Sequence, residues 1–197
     1  MKPNVFSAGG CYVLQQKGRY FEITDSAKTS VYRLTQRQNV ISKWSSEKTS
    51  RLLFPFRYEI TDEKKQLLFV IERQAGIIWN DIFIFDYLGH RLGSLTQQSL
   101  FLQPVFCVNN EAGKEVARLT GDWLGQHYRL KAETGATWGQ MKRGISDSVS
   151  RLLGVTNNYT FSISRHCPYN IIKLAGVCLL FSGMLNRESR IYLSNRS

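Results

Sequence analysis

Short turns recur along the chain at nearly equal intervals, and each separates two runs of apolar residues. Asp62, Asp86 and Asn110 begin three of these turns, and the segment 133–135 supplies a fourth. Asp or Asn followed by Gly between apolar runs is typical of β-hairpins, because glycine accepts a positive φ and Asx side chains close turns. The repeat unit is therefore a hairpin, and the chain is predicted to form a long antiparallel meander.

The apolar runs beside these turns read as short strands, and about a dozen candidate strands follow residue 20. The strands that flank the four turns are predicted at 58–62, 66–72, 82–85, 91–95, 105–108, 115–119, 128–132 and 137–141. An open sheet of this size would leave exposed edges, whereas closure into a barrel removes them. The predicted fold class is therefore mainly β, a closed antiparallel barrel of about twelve strands.

One segment near the C-terminus, Pro168–Leu185, is apolar around its whole circumference when drawn as a helix. Its only charge is Lys173, near the start, and a proline suits the first turn of a helix. A helix that is hydrophobic on every side must be buried, either in protein or in lipid. The residues expected to be buried on this helix are Ile171, Ile172, Leu174, Val177, Leu179, Leu180 and Phe181.

Two kinds of burial are open to this helix. A helix over 168–185 would span about 27 Å, just short of the roughly 30 Å hydrocarbon core of a bilayer, and Lys173 could snorkel. A closed sheet of about twelve strands, however, has a wide lumen that apolar side chains must fill. The pattern favours a central helix inside the barrel and keeps a membrane span as the alternative.

The length of 197 residues favours a single domain. Residues 1–19 are expected as a lead-in and 186–197 as a polar tail, while residues 1–51 could add the first strands or form a separate segment. A short amphipathic helix is predicted over Ile145–Leu153. No apolar run of a secretory signal follows Met1, so an intracellular location is expected, cytoplasmic or peripheral at a membrane.

Several short motifs lie in a fixed order along residues 53–185. They are Arg57-Tyr-Glu-Ile-Thr-Asp62, Phe85-Asp86 with Gly89, Trp138-Gly-Gln-Met-Lys-Arg143, Asn158-Tyr159, and Phe161-Ser-Ile163 before the apolar segment. In this order they resemble the tubby C-terminal-like superfamily and, within it, the phospholipid scramblase and LURP-one-related branch. The resemblance implies a twelve-stranded barrel that encloses its C-terminal helix, in agreement with the count from the turns.

The chain departs from this family at one proposed metal site. Scramblases carry an acidic cluster around the strand that corresponds to Asn158-Tyr159, and that cluster is proposed to bind calcium. Here the segment Thr156–Ser164 contains no carboxylate, whereas calcium requires hard, largely anionic oxygen ligands. No calcium site is expected.

Candidate catalytic groups are scattered through the sequence. The cysteines and histidines stand apart, without a CxxC pair: Cys11, Cys107, Cys167, Cys178, His90, His127 and His166. No nucleophile elbow, phosphate-binding glycine loop or HExxH motif occurs. We therefore expect no metal, no cofactor and no enzymatic activity.

The net charge of +11, from 26 Lys plus Arg against 15 Asp plus Glu, favours phosphate-rich partners such as lipid headgroups or nucleic acid. Alternation places Arg129 and Lys131 on the outer face of a strand whose other face is apolar. Together with Lys142, Arg143 and Arg151 they are the candidate headgroup-binding residues. Each such cation is worth about 1 kcal/mol near an anionic membrane surface.

The leading hypothesis is a non-enzymatic protein that binds anionic phospholipid at a membrane surface. A membrane-embedded scramblase with 168–185 as its span is one alternative, and a basic barrel that binds nucleic acid is another. Nucleic acid is not the expected partner, because Tyr159 and Phe161, which could stack on bases, face inward by pattern. The same cations would also suit a solvated surface that only maintains solubility.

Overall fold

The computed structural model of the chain describes residues 5–17, 20–25, 31–37, 56–73, 81–99, 103–122, 126–144 and 158–194, with side chains described as far as residue 184. The amphipathic helix predicted over Ile145–Leu153, which carries Arg151, lies outside these ranges. Within them the chain forms a series of strands and then a long C-terminal helix.

Twelve strands within the described ranges form a closed antiparallel barrel, which confirms the predicted fold class. In chain order they are β1 Cys11–Lys17, β2 Tyr20–Asp25, β3 Val31–Arg37, β4 Phe56–Thr61, β5 Leu67–Arg73, β6 Ile82–Asp86, β7 Arg91–Ser99, β8 Val105–Asn110, β9 Glu115–Gly121, β10 His127–Ala132, β11 Thr137–Arg143 and β12 Asn158–Ile163. Each strand pairs with its neighbours in sequence, and β1 pairs with β12 to close the barrel.

The strand β1 corrects one expectation about the N-terminus. The segment 1–19 is expected as a lead-in, yet Cys11–Lys17 pairs with β2 on one side and β12 on the other. Tyr12 and Leu14 alternate with more exposed neighbours and are buried in the core. These inward side chains and the two ladders of hydrogen bonds make β1 the strand that closes the sheet.

The turn between β6 and β7 shows why the repeated turns form. The Asp86 N–H donates to the His90 carbonyl at 2.9 Å, and the Gly89 N–H donates to the Asp86 carbonyl at 3.0 Å. The Asp86 carboxylate also accepts the Leu88 and His90 N–H groups, both at 2.9 Å. Gly89 adopts a φ of 83°, which an L-residue tolerates poorly. The Asp and the Gly therefore have separate roles in one turn.

The other three turns repeat this backbone pattern with different side chains. Asn110 and Gly113 take the same two positions between β8 and β9. Between β4 and β5, Lys65 takes the glycine position with a φ of 60°. Between β10 and β11 the turn starts at Ala132, one residue before the predicted 133–135. The four turns thus share one backbone geometry, whereas their side chains differ from turn to turn.

These four turns lie at one end of the barrel, because successive antiparallel strands run in alternate directions. We call this end the hairpin rim; it consists of the turns 62–66, 86–90, 110–114 and 132–136. The segment 164–171, which follows β12, reaches the same end. The helix therefore enters the barrel from the hairpin rim.

The helix α1, Ile172–Ser194, packs inside the barrel through its first part, where buried side chains run from Ile172 to Met184. Six residues expected to be buried on it are indeed buried: Ile172, Leu174, Val177, Leu179, Leu180 and Phe181. They pack with inward side chains of the strands in one core cluster, so the interpretation as a central core helix is confirmed. In the described ranges, no helix combines the length and the apolar character that crossing a membrane requires.

Two boundaries of this helix differ from the prediction. Pro168 does not begin the helix, because its carbonyl closes a tight turn by accepting the Ile171 N–H at 2.9 Å. Ile171 is buried but lies in this turn, immediately before the first helical residue. At the other end the helix runs to Ser194, through most of the segment expected as a polar tail.

Glycines and one aromatic side chain adapt the lumen to the helix. A Cβ on Gly139 of β11 would lie 2.8 Å from the backbone oxygen of Ser162 and 2.6 Å from Leu179 Cδ1, so this position favours glycine. Phe6, which precedes β1, is fully buried against Gly176 of the helix. Its ring stacks on Phe69 with 6.0 Å between centroids. The N-terminal segment thus packs beside the helix and completes the core.

Candidate functional site

The strand β10 separates an apolar inner face from a cationic outer face. Tyr128, Leu130 and Ala132 are buried, whereas Arg129 and Lys131 are exposed. This alternation is the one the sequence predicts, because successive side chains of a strand point to opposite faces. The core contacts of the inner three residues therefore hold the two cations on the outside of the barrel.

The neighbouring strands add two more cations to this outer face. Lys131 lies directly opposite Arg118 of β9, and Arg129 lies opposite Gln140 of β11. Lys142 is two residues beyond Gln140, so it is a diagonal neighbour of Arg129, about 7–8 Å away between backbones. We call Arg118, Arg129, Lys131 and Lys142 the cationic face. Each of its four members is a neighbour of another member, either across two paired strands or two positions along the same strand.

Few carboxylates neutralise this surface. Glu115 binds Arg118, with 2.6 Å between Oε1 and Nε, and this hydrogen bond lowers the pKa of Glu115 below its ordinary value. Arg129, Lys131 and Lys142 have no carboxylate within 4.0 Å among the described residues. Within the described part of the chain, the charges of these three cations are therefore not neutralised by an ion pair.

The outer face of β3, β4 and β5 shows the opposite arrangement. Arg37 Nε lies 2.8 Å from Glu59 Oε2, and Arg57 contacts Glu59 at 3.3 Å and Glu72 at 3.0 Å. Burial alone would raise the pKa of Glu59, but hydrogen bonds from Arg37 and Arg57 lower it overall. Arg37 and Arg57 on this side of the barrel are therefore paired with carboxylates, unlike Arg129, Lys131 and Lys142.

The pairing of Arg118 with Lys131 has an energetic consequence. Like charges that lie directly opposite each other in a sheet destabilise it by a fraction of a kcal/mol, about 0.2–1 kcal/mol. The exposed position screens this repulsion, and Glu115 offsets part of it. Nothing in the packing of the barrel requires two cations here, which makes the cationic face the candidate functional site.

The structure brings together three of the five predicted site residues. Arg129, Lys131 and Lys142 share the outer face, whereas Arg143 is half-buried and has the same alternation as the buried Met141. Adjacent residues of a strand face opposite ways, so Arg143 does not share the outer face with Lys142, and its role as a headgroup-binding residue stays a prediction. Arg151 lies outside the described residues.

Arg118 is not among the predicted site residues, although the sequence carries a signal for it. Ala117 and Leu119, its neighbours in β9, are buried, while Arg118 itself is exposed. The same alternation that identifies Arg129 therefore identifies Arg118. What the sequence does not give is the register that sets Arg118 opposite Lys131.

A second polar cluster on the outside of the barrel is bonded within itself. Thr96 Oγ1 donates to the Asp81 carboxylate at 2.6 Å and accepts from Asn109 Nδ2 at 3.1 Å. Arg91 donates to Ser94 Oγ at 3.2 Å and lies over the Phe83 ring, 4.7 Å from its centroid. These contacts connect three strands and engage most polar groups of the cluster, while Arg91 Nε has no hydrogen-bond partner among the described residues.

The histidines and cysteines do not converge on a site in the described ranges. His90 lies 3.4 Å from Asp86 in its turn, while His127 and His166 are exposed. Across those ranges, no three His, Cys, Asp or Glu side chains are placed to hold a metal ion. Burial raises the pKa of Cys167 to about 11 and also raises that of Cys178, so neither is prepared as a nucleophile.

Comparisons with known proteins support the fold. No family model and no curated protein matches the chain. It is similar to the X-ray structure of a protein from Arabidopsis thaliana, with 14% sequence identity and a TM-score of 0.54. The match covers 90% of this chain and 94% of that chain. A likeness at this identity concerns the fold alone, and it extends over nearly the whole of both proteins.

Proposed function

We propose that this barrel is a non-enzymatic protein that binds anionic phospholipid surfaces through the cationic face. The observation that carries the proposal is the position of Arg129, Lys131 and Lys142, which are close together, exposed and without ion-pair partners among the described residues. Each cation near an anionic membrane contributes about 1 kcal/mol. Three unpaired cations would give measurable, salt-sensitive binding.

We also propose a family for this barrel. The motifs from Arg57-Tyr58 to the terminal helix resemble the scramblase and LURP-one-related branch of the tubby-like barrels, and the closed barrel around a central helix agrees with that fold. We infer a peripheral role at the cytoplasmic surface of a membrane, because α1 is occupied as the core of the barrel. Binding would then use the outside of the strands.

The structure offers little support for nucleic acid as the partner. Single-strand binding by β-barrels depends on aromatic side chains that stack on bases from the surface. Tyr159 and Phe161 of β12 are buried in the core, and Tyr128 of β10 is buried as well. The strands β10 and β12 therefore give the cationic face no aromatic platform, and Trp138 of β11 is partly buried and packs against the core cluster.

Vesicle co-sedimentation tests the proposal. Wild-type protein is expected to bind mixed phosphatidylserine–phosphatidylcholine vesicles at low salt, and to bind pure phosphatidylcholine vesicles weakly. The double variant Arg129→Gln/Lys131→Gln should lose roughly 2 kcal/mol of binding free energy, about a 30-fold change in affinity.

The matched control is Lys17→Gln/Lys64→Gln, which removes the same charge from exposed positions away from the cationic face. This control should retain most of the binding. Equal binding of wild-type protein to neutral and anionic vesicles at low salt would refute the proposal, as would equal losses in the two double variants.

A further inference from the structure

Among the described residues, the large hydrophobic side chains that are exposed all lie at the hairpin rim. In the described part of the chain they are Tyr87, Leu88 and Tyr169, with 43%, 61% and 80% of their surface accessible. Tyr87 and Leu88 form the tip of the turn 86–90, and Tyr169 lies in the turn that leads into α1. The end of the barrel where the helix enters thus differs from the rest of the described surface.

The repeated turns show that folding does not require the apolar tip. The two tip positions are occupied by Glu63-Lys64, Glu111-Ala112 and Glu133-Thr134 in the other three turns. All four turns share the same backbone hydrogen bonds, and Asp86 and Gly89 supply the special geometry in this one. The turn geometry itself therefore does not dictate that the tip be apolar.

The apolar tip continues a stripe on the outer face of β6. Phe83 and Phe85 point outward from this strand, are half-buried, and have ring centroids 6.4 Å apart. The next outward positions are at the tip, where Tyr87 and Leu88 project beyond the barrel. Amphipathic rings such as tyrosine favour the boundary between lipid headgroups and acyl chains.

The cationic face approaches the same rim. Lys131 is the residue before the turn 132–136, and the register pairs it with Arg118. Between this pair and the apolar tip lies the turn 110–114, whose Lys114 is exposed. If this side of the hairpin rim faces an anionic membrane, Lys131, Arg118 and Lys114 would lie in the headgroup layer. The tip with Tyr87 and Leu88 would then lie deeper, at the boundary with the acyl chains.

We propose that Tyr87 and Leu88 insert into the interfacial layer of an anionic phospholipid bilayer when the cationic face docks on it. This inference rests on the proposed function and adds the orientation of the bound barrel. Insertion is shallow and confined to one tip, because Glu111 and Glu133 occupy the tips of the next two turns. Electrostatic attraction brings the barrel to the surface, and the apolar tip supplies a contribution that salt does not screen.

An environment-sensitive label tests the insertion. Leu88→Cys in a Cys11→Ser background is labelled with NBD, because the other three cysteines are buried. Ala112→Cys, at the same position of the neighbouring turn, provides the matched control. With mixed phosphatidylserine–phosphatidylcholine vesicles, emission at position 88 should shift to the blue and be quenched by lipid nitroxides, while position 112 should change little.

A partition measurement separates this inference from the proposed function. The variant Tyr87→Ser/Leu88→Ser should bind anionic vesicles about tenfold more weakly than wild type at high salt. Insertion alone would be overturned if Tyr87→Ser/Leu88→Ser bound vesicles as tightly as wild type and the label at position 88 did not shift, while Arg129→Gln/Lys131→Gln still lost affinity. Loss of the charge dependence with the label still shifted would instead overturn the cationic face. A label that responds to protein concentration without vesicles would indicate a protein contact and refute insertion.

Discussion

At the scale of single residues, the barrel depends on a few turn positions that need a particular backbone φ but accept different side chains. Four turns need one residue with a positive φ, and glycine supplies it in three of them. The sequence could indicate those three because a glycine between two apolar runs is a local turn signal, and in two of the turns Asp86 or Asn110 stands three residues before it. It could not indicate Lys65, because lysine carries no such preference and the surrounding strands impose the conformation.

Replacing Lys65 by glycine should stabilise the barrel. A lysine with a φ of 60° carries a conformational cost that glycine avoids, partly offset by the larger chain entropy of glycine when unfolded. We expect Lys65→Gly to raise the free energy of unfolding by about 0.5–1 kcal/mol, measured by urea denaturation. The control Lys64→Gly, where φ is not positive, should lower it; stabilisation by both variants would contradict this explanation.

The carboxylate of Glu59 should make part of the stability dependent on pH. Hydrogen bonds from Arg37 and Arg57 hold its pKa in the folded state below the ordinary value, so folding favours the charged form. That stability is present above the unfolded pKa, near 4.3, and is lost as the pH falls through the lower folded value. The partners are exposed, so the contribution is modest.

We therefore expect Glu59→Gln to lose about 0.5–1 kcal/mol at pH 7 and to differ little from wild type once the carboxyl is protonated in both states. Urea denaturation at pH 7 and at pH 3 measures this difference. Glu63→Gln, in an exposed turn, is the control and should show no comparable loss at pH 7. A deficit of Glu59→Gln that stays constant with pH would argue against the ion-pair explanation.

At the scale of elements, β9, β10 and β11 show what a sequence can and cannot specify. Alternation in β10 indicates that Arg129 and Lys131 point outward, and this is observed. Pairing is decided by the turn: a bulge between Leu130 and Lys131 shifts the register so that Lys131 opposes Thr137. Arg118 and Lys131 become neighbours through the unshifted register of β9 and β10, which the sequence does not specify either, so Arg118 enters the site only with the structure.

The same register predicts opposite effects on stability and on binding. Lys131→Glu should replace repulsion from Arg118 by a cross-strand attraction and raise the free energy of unfolding by about 0.3–1 kcal/mol. Binding to anionic vesicles should fall in the same variant. The control Thr137→Glu lies opposite Lys131 on β11 and should weaken binding while leaving Lys131 in place. A variant Lys131→Glu that is less stable than wild type would contradict the register argument.

At the scale of the whole molecule, a closed sheet and an apolar helix depend on each other. The sequence indicates both, because hairpin turns imply many strands and a helix without a polar face must be enclosed. The first strands are harder to predict, since β1 has few turn signals beside it and the turn pattern does not locate β3. Both are fixed by pairing across the sheet, which joins residues that are far apart in sequence.

Burial in the closed barrel determines how fast each thiol should react. Cys11 is half-exposed, whereas Cys107, Cys167 and Cys178 are buried, and burial is the main cause that raises the pKa of each of these three. In native protein we expect Cys11 to react first with Ellman's reagent and the other three to react only on unfolding. A Cys11→Ser variant should then lose the fast phase. Rapid modification of Cys178 in native protein would show that α1 leaves the barrel.

The proposed membrane recognition lies on one side of a closed barrel, and a stepwise removal of charge measures this most directly. Affinity for mixed phosphatidylserine–phosphatidylcholine vesicles is measured for Arg129→Gln, then with Lys131→Gln added, then with Lys142→Gln added. We predict a fall of about fivefold at each step, in line with about 1 kcal/mol per cation, and a smaller salt dependence each time. The control series Lys17→Gln, then with Lys64→Gln added, should change the affinity little. Equal slopes in the two series would show that net charge, and not the cationic face, governs binding.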